Sequence, residues 1–123
     1  PMLTKCLDEA GQALRLELLR YAVDTLMALP GAAVYIDAGH SAWASVDDMA
    51  PRLRAAGIER ADGFSLNVSN YQRTENLMAY GRALSARLGG KHFIIDTGRN
   101  GNGPPEGVGG DDERSWCNPD GRA

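Results

Sequence analysis

Apolar residues recur every three or four positions from Leu7 to Leu29, at Leu7, Ala10, Leu14, Leu18, Ala22, Leu26 and Leu29. This spacing predicts an amphipathic helix, which Pro30-Gly31 stops. The run Ala32-Ala33-Val34-Tyr35-Ile36 is continuously apolar and partly β-branched, as expected of a strand buried on both faces of a parallel sheet. It ends in Asp37-Ala38-Gly39-His40. Ser45 is placed to cap a helix from about Val46 to Ala56, with Asp48 in its first turn, Met49, Leu53 and Ala56 inward, and Gly57 as its stop. The pattern then repeats. Phe64-Ser65-Leu66-Asn67-Val68 is a second strand ending in Ser69-Asn70, and Thr74 caps a helix carrying Leu77, Gly81, Leu84 and Leu88 up to Gly89-Gly90. His92-Phe93-Ile94-Ile95 is a third strand, ending in Asp96.

Strands separated by helices of this length imply parallel βα units with right-handed crossovers, so the fold class is α/β. In such folds the loops at the carboxyl ends of the strands form the binding surface. Those ends carry Asp37 and His40, then Asn67 and Asn70, then Asp96 and Arg99. Three strands cannot close a barrel, and a complete βα barrel takes about 250 residues. The chain is therefore either a small open sheet or part of something larger.

Composition narrows the picture. The 123 residues, 43% hydrophobic and 24% charged, have the make-up of one soluble globular domain. The longest apolar stretches, such as Gly31 to Ile36, are far below the ~18 residues of a membrane span, and no signal peptide opens the chain. If the protein is exported, its signal is missing from this sequence. Thirteen Lys plus Arg against sixteen Asp plus Glu give a net charge of −3. With no basic run and few aromatics, nucleic acid and anionic membrane are poor partners. Cys6 and Cys117 are compatible with one bridge, two free thiols or partners elsewhere. There is no Cys-x-x-Cys, and His40 and His92 are far apart, so no metal site is expected.

Each polar residue at the rim has two readings. Asp37 follows a strand expected to be buried, where a carboxylate is costly unless paired, yet an Asp there also serves as a turn residue. His40 is either a structural hydrogen-bonder or a ligand contact. Trp43, in the small-residue loop Ser41-Ala42-Trp43-Ala44-Ser45, is either a core anchor or a stacking platform for a sugar or base. Asn70 and Asp96 each suit a turn. The run Gly98 to Pro105 superficially suggests a phosphate loop, but it lacks the Gly-x-Gly-x-x-Gly order and no helix pattern follows it.

Four segments occur in order: Tyr35-Ile36-Asp37-Ala38-Gly39-His40-Ser41-Ala42-Trp43, Asn67-Val68-Ser69-Asn70-Tyr71, Ile95-Asp96-Thr97-Gly98-Arg99-Asn100-Gly101-Asn102-Gly103-Pro104 and Trp116-Cys117-Asn118-Pro119. Together they resemble the successive motifs of glycoside hydrolase family 6, the cellulases that cut β-1,4-glucan. The resemblance runs from about Cys6 to Ala123. It implies parallel βα units of a distorted, incomplete TIM-like barrel, with residues 1–123 forming the central part of a catalytic domain. It also implies an extracellular, secreted, monomeric enzyme that acts on a cellulose chain without a cofactor. The family's general acid would lie in a Glu-Pro-Asp-Ser segment upstream of Pro1, and the candidate base region would follow the Trp-Cys-Asn motif. The chain alone would then be inactive.

Residue by residue, Asp37 matches the family's Asp that assists beside the general acid without being the proton donor. A second carboxylate there favours the protonated acid. His40 and Asn70 match residues that hydrogen-bond glucosyl units, and Trp43 and Trp116 match platforms for sugar rings. Asn67, Asp96 and Arg99 take structural or supporting roles. The resemblance also implies that Cys6 and Cys117 pair with cysteines beyond the two ends rather than with each other. Because the family inverts, acid and base must stand ~6.5–9.5 Å apart to admit a water.

The departures are few. Gly98 stands where Ser is common, and Asp120 where a second Pro is frequent. The segment Glu106 to Ser115, with Asp111-Asp112-Glu113, reads as a solvated surface loop. No second Trp follows Trp43 in its loop, and the link to Val46 is short, which favours an endo-acting enzyme with an open cleft. The other reading is a non-catalytic carbohydrate-binding protein on the same scaffold, keeping Trp43, Asn70 and Trp116 without the acid.

Overall fold

A computed structural model of the chain describes residues 6–100 and 102–104. Among the described residues three helices and three strands alternate: α1 (Glu9–Met27), β1 (Tyr35–Asp37), α2 (Val46–Ala55), β2 (Gly63–Leu66), α3 (Thr74–Arg87) and β3 (His92–Ile95). The strands form one parallel sheet in the order β1-β2-β3, with Ile36 opposite Phe64 and Phe64 opposite Phe93. The expected α/β class is the observed one.

The second and third helices follow their sequence signals. Ser45 caps α2, its hydroxyl oxygen accepting from the Asp48 N–H at 3.1 Å, and Met49, Leu53 and Ala56 are buried as the spacing requires. Leu77, Gly81, Leu84 and Leu88 turn inward on or just after α3. Gly81 is the point of closest approach to the sheet: a Cβ there would lie 2.5 Å from the Phe93 ring. That ring stacks on Phe64, with centroids 5.6 Å apart. Phe64, Leu53, Ile58, Leu66, Leu77 and Leu84 form the centre of the core.

Four expectations need correction. The leucine stripe of α1 does not face the core: Leu14 and Leu18 are 55% and 54% exposed, and Leu7, Leu26 and Leu29 are exposed as well. The helix instead packs through Leu16, Leu19 and Val23, a second apolar row on the neighbouring face. Arg20 ties it to the end of α2 by donating to the Ala55 carbonyl at 2.6 Å. Periodicity reports the helix, but with leucines on two faces it does not say which face meets the sheet. Second, β1 is shorter than predicted and only Ile36 is buried within it, because among the described residues β1 pairs with β2 alone and pairing begins at Tyr35 opposite Gly63. Third, β2 stops at Leu66, since Asn67 takes a left-handed backbone (φ 67°) that no strand accepts, and Val68 is exposed. Fourth, Thr74 is the first residue of α3 rather than its cap, which is Arg73, and the Thr74 hydroxyl accepts from Asn100 Nδ2 at 2.7 Å.

Candidate functional site

At the amino-terminal edge of the sheet the polar groups serve the fold. Asp62 accepts from the Val34 N–H, and the Lys91 ammonium donates to the carbonyls of Glu59 and Ala61. The carboxyl edge differs, because there three loops meet.

The first loop follows β1. Asp37 is exposed, and its Oδ1 accepts from the Gly39 N–H at 2.8 Å, closing a tight turn. Ala38, fully buried, donates its N–H to the Ser65 carbonyl and holds the turn against β2. His40 is half-buried, and its Nδ1 accepts from the Ala42 N–H at 3.3 Å. That bond assigns the proton of the neutral ring to Nε2. Burial pushes the imidazole pKa below its ordinary value, opposed by the Asp37 carboxylate. The ring therefore offers one uncharged donor. Trp43 is half-buried, packed on one side against the core, with its indole 6.5 Å from the His40 ring.

Asn67 organises the second loop. It is 1% exposed, and its side-chain amide joins its own loop to the one after β3. Nδ2 donates to the Asp96 carbonyl at 2.9 Å and, at 3.2 and 3.4 Å, to the carbonyls of Asn70 and Gln72. Oδ1 accepts from the Gln72 N–H at 3.0 Å. The Asn67 backbone N–H donates to the Gly39 carbonyl at 2.8 Å, so the loops after all three strands are joined through this one residue. Asn70 is half-buried; its N–H donates to the Asn67 carbonyl, and its Oδ1 accepts from the Tyr71 N–H.

The third loop grips the second. Asp96 accepts from the Ser69 N–H through Oδ2 and from the Gly98 N–H through Oδ1, both at 2.9 Å, and these bonds hold its carboxyl below the usual carboxylate range. A carboxylate stabilised in this way is a poor proton donor. The Arg99 guanidinium lies 4.8 Å above the Tyr71 ring, donates to the Tyr71 hydroxyl at 3.1 Å, and donates to the Ser69 carbonyl at 2.6 Å. The residues on either side of Asn70 are thus held from β3. Asn100, buried against Thr74, was not anticipated, since an Asn in a glycine-rich run gives no sign of burial.

The structure brings Asp37, His40 and Trp43 together on one loop, and sets Asn67 and Asn70 in a second loop bonded to it through Asn67, and Asp96 and Arg99 in a third bonded to the second. Trp116, Cys117 and the acidic segment Glu106 to Ser115 lie outside the described residues. A small cleft of about 90 Å³ beside the rim is lined by Arg15, Leu19, Ile36 and Asp37. Arg15 is a second neighbour the sequence did not single out, hidden in the leucine pattern of α1. Among the described residues no three His, Cys, Asp or Glu side chains gather to hold a metal ion, and no helix is long and apolar enough to cross a membrane. What the rim offers is one exposed carboxylate, a neutral imidazole, an indole and an amide. An apolar face beside short hydrogen-bonding groups is the complement of a pyranose.

Comparison with known proteins supplies the remaining observations. A family model described as glycosyl hydrolases family 6 matches residues 2–123. Endoglucanase A of Cellulomonas fimi is 53% identical over 116 residues, covering 94% of this chain and 24% of that protein. Endoglucanase A of Thermobispora bispora is 43% identical, covering 100% of this chain and 26% of that protein. Among solved structures, the endoglucanase Cel6 of Mycobacterium tuberculosis, in complex with a methyl-cellobiosyl thio-cellobioside, superposes with a TM-score of 0.86 at 52% identity. That match covers 96% of this chain and 39% of the solved one. The chain spans about a quarter of the length of these curated relatives.

Proposed function

The chain belongs to glycosyl hydrolases family 6, whose solved members carry these parallel βα units in a distorted βα barrel, and from that premise we propose that the protein carrying it hydrolyses β-1,4-glucosidic bonds of cellulose or a related β-glucan, with inversion and endo action. The observation that carries the reading is the carboxyl-edge rim itself: Asp37, His40, Trp43 and Asn70 lie on loops stitched together through Asn67, at the end of a parallel sheet where such folds bind substrate. Similarity to endoglucanases from three sources supports the endo assignment.

In this reading Trp43 and Trp116 present indole faces to glucosyl rings. His40 donates from Nε2 to a sugar hydroxyl, and Asn70 hydrogen-bonds a neighbouring unit. Asp37 acts by charge, keeping the general acid protonated until it delivers its proton to the leaving oxygen. The general acid and base lie outside these 123 residues, and a water between base and anomeric carbon gives inversion. Asn67, Asp96 and Arg99 hold the loops. The protein is extracellular and monomeric, and Cys6 and Cys117 each pair with cysteines outside the chain.

The test is hydrolysis of carboxymethyl-cellulose by the protein that carries this sequence, followed by viscosity, by reducing ends, and by proton NMR of the first-formed anomer. Viscosity should fall well ahead of reducing-end release, and α-anomeric product should appear first. Sugar binding without turnover would replace this reading with that of a carbohydrate-binding protein, and a β-anomeric product would reject inversion.

A further inference from the structure

Gly39 contacts both Asp37 and Trp43 in the first loop and Asn67 in the second. Its N–H donates to Asp37 Oδ1 at 2.8 Å, and its carbonyl accepts from the N–H of buried Asn67 at 2.8 Å. Its backbone is left-handed, at φ +72°, and the six-membered part of the Trp43 indole lies directly on it. A Cβ at this position would stand 2.3 Å from Cε3 and 2.8 Å from Cζ3 of Trp43. Both distances are far inside van der Waals contact, and the obstacle is a rigid ring rather than the end of a flexible chain. We propose that Gly39 is a positioning residue for substrate binding: its bare Cα is the seat on which the Trp43 indole rests, fixing that ring relative to Asp37.

The proposal rests on the reading of Trp43 as a sugar platform. A stacked pyranose needs the indole plane at a set height and tilt, and a displacement of about 1 Å in such a positioning element is enough to cost large factors in rate or affinity. Asp37, Gly39 and Trp43 share one short turn, in which the Trp43 N–H donates to the His40 carbonyl at 3.1 Å. The spacing of sugar platform and carboxylate is thus set by adjacent backbone, with the glycine as the point of contact.

A glycine at positive φ has a second explanation, backbone conformation alone, and Gly31 separates the two. It has φ +77° with nothing within 4 Å of its missing Cβ, and it lies far from the rim. Gly31→Ala therefore imposes the left-handed penalty without any neighbour.

The experiment uses the protein that carries this chain, with cellotetraose as substrate and 5-fluorotryptophan incorporated, the Trp43 resonance being assigned by its loss in Trp43→Ala. Gly39→Ala should shift that resonance and raise KM about tenfold with a smaller change in kcat. In the Trp43→Ala background the same substitution should alter KM by less than about twofold, since there is no ring left to displace. Gly31→Ala should lower the melting temperature while leaving KM and the resonance in place. If Gly39→Ala alone does not fold, the double variant must fold with no more loss than Trp43→Ala and Gly31→Ala impose together, and its failure to do so overturns the proposal. An unmoved resonance, or an equal KM effect with and without the indole, also overturns it. An unchanged KM in Trp43→Ala would instead remove the platform reading, while the resonance shift still decides whether Gly39 seats the ring.

Discussion

Replacing Asn67 by Ala removes the side chain that ties the second loop to the third, while the backbone N–H that reaches the first loop remains. Two of its hydrogen bonds are short, to the Asp96 carbonyl at 2.9 Å and from the Gln72 N–H at 3.0 Å, and the site is almost wholly buried. Leaving each of those partners unsatisfied costs about 1–3 kcal/mol, while the longer contacts to Asn70 and Gln72 contribute less. Alanine at φ 67° adds about 1 kcal/mol, because Asn tolerates the left-handed region and Ala does not. The expected loss is therefore about 3–7 kcal/mol, a large share of the ~5–15 kcal/mol that holds a domain folded. Asn67→Gly restores the backbone freedom but not the bonds, so it should recover about 1 kcal/mol of that loss. Asn67→Asp keeps one acceptor but turns a carboxylate oxygen toward carbonyls. The introduced group should have a raised pKa in the folded state, so its stability is present below the unfolded value of about 3.9 and lost as pH rises through the folded one. Urea unfolding of the three variants, compared at constant m-value, measures each step. A loss below about 1 kcal/mol in Asn67→Ala, or a glycine variant no better than alanine, would refute the view of Asn67 as the joint of the rim.

Trp43→Ala should raise KM for soluble cello-oligosaccharides while costing only about 1–2 kcal/mol, since the indole is half-exposed; a large stability loss with unchanged kinetics on thermal melts and rate assays would make it a core residue instead. Asp37→Asn can keep the turn bond to the Gly39 N–H but removes the charge, so the rate should fall and the limb of the kcat/KM pH profile that reports the general acid should move to lower pH; a profile identical to the parent's would exclude the electrostatic role. The lowered pKa of Asp96 means that its contribution to stability is present above the unfolded value of about 3.9 and disappears as pH falls through the lower folded value. Asp96→Asn should accordingly be less stable near neutrality and converge with the parent in strongly acid solution, as followed by urea midpoints across pH; a constant difference at every pH would count against it.

The limits of sequence legibility are physical. His92–Ile95 is predicted and observed with the same bounds, because β-branched residues between a Gly-Gly turn and an Asp leave no competing pattern. The Ser45 cap was visible because its chemistry is local. The face of α1 was not, since two leucine rows share one helix and only the neighbouring sheet decides which is covered. Asp37, His40, Asn70, Asp96 and Arg99 could be placed at the rim from strand order alone. That Asp96 and Arg99 reach back to Ser69 could not, because those bonds span 27 and 30 residues and depend on register. The burial of Asn67 and Asn100, and the indole lying on Gly39, are likewise products of packing that no one-dimensional pattern encodes.

The sheet order has a consequence for how precisely the rim can be built. β1 and β3 never touch; each takes its register from β2, Asp37 through Ser65 and Ile95 through Leu66. Four residues, Gly63–Leu66, therefore act as the common ruler for loops that are distant in sequence. A slip of one residue against either neighbour would move one loop by about 3.3 Å and turn every side chain of the slipped strand to the opposite face. Sites of this kind tolerate only about 0.5 Å. Substitutions in the loops can change what the rim recognises while its spacing is inherited unchanged, whereas an error within β2 miscalibrates both sides of the site at once.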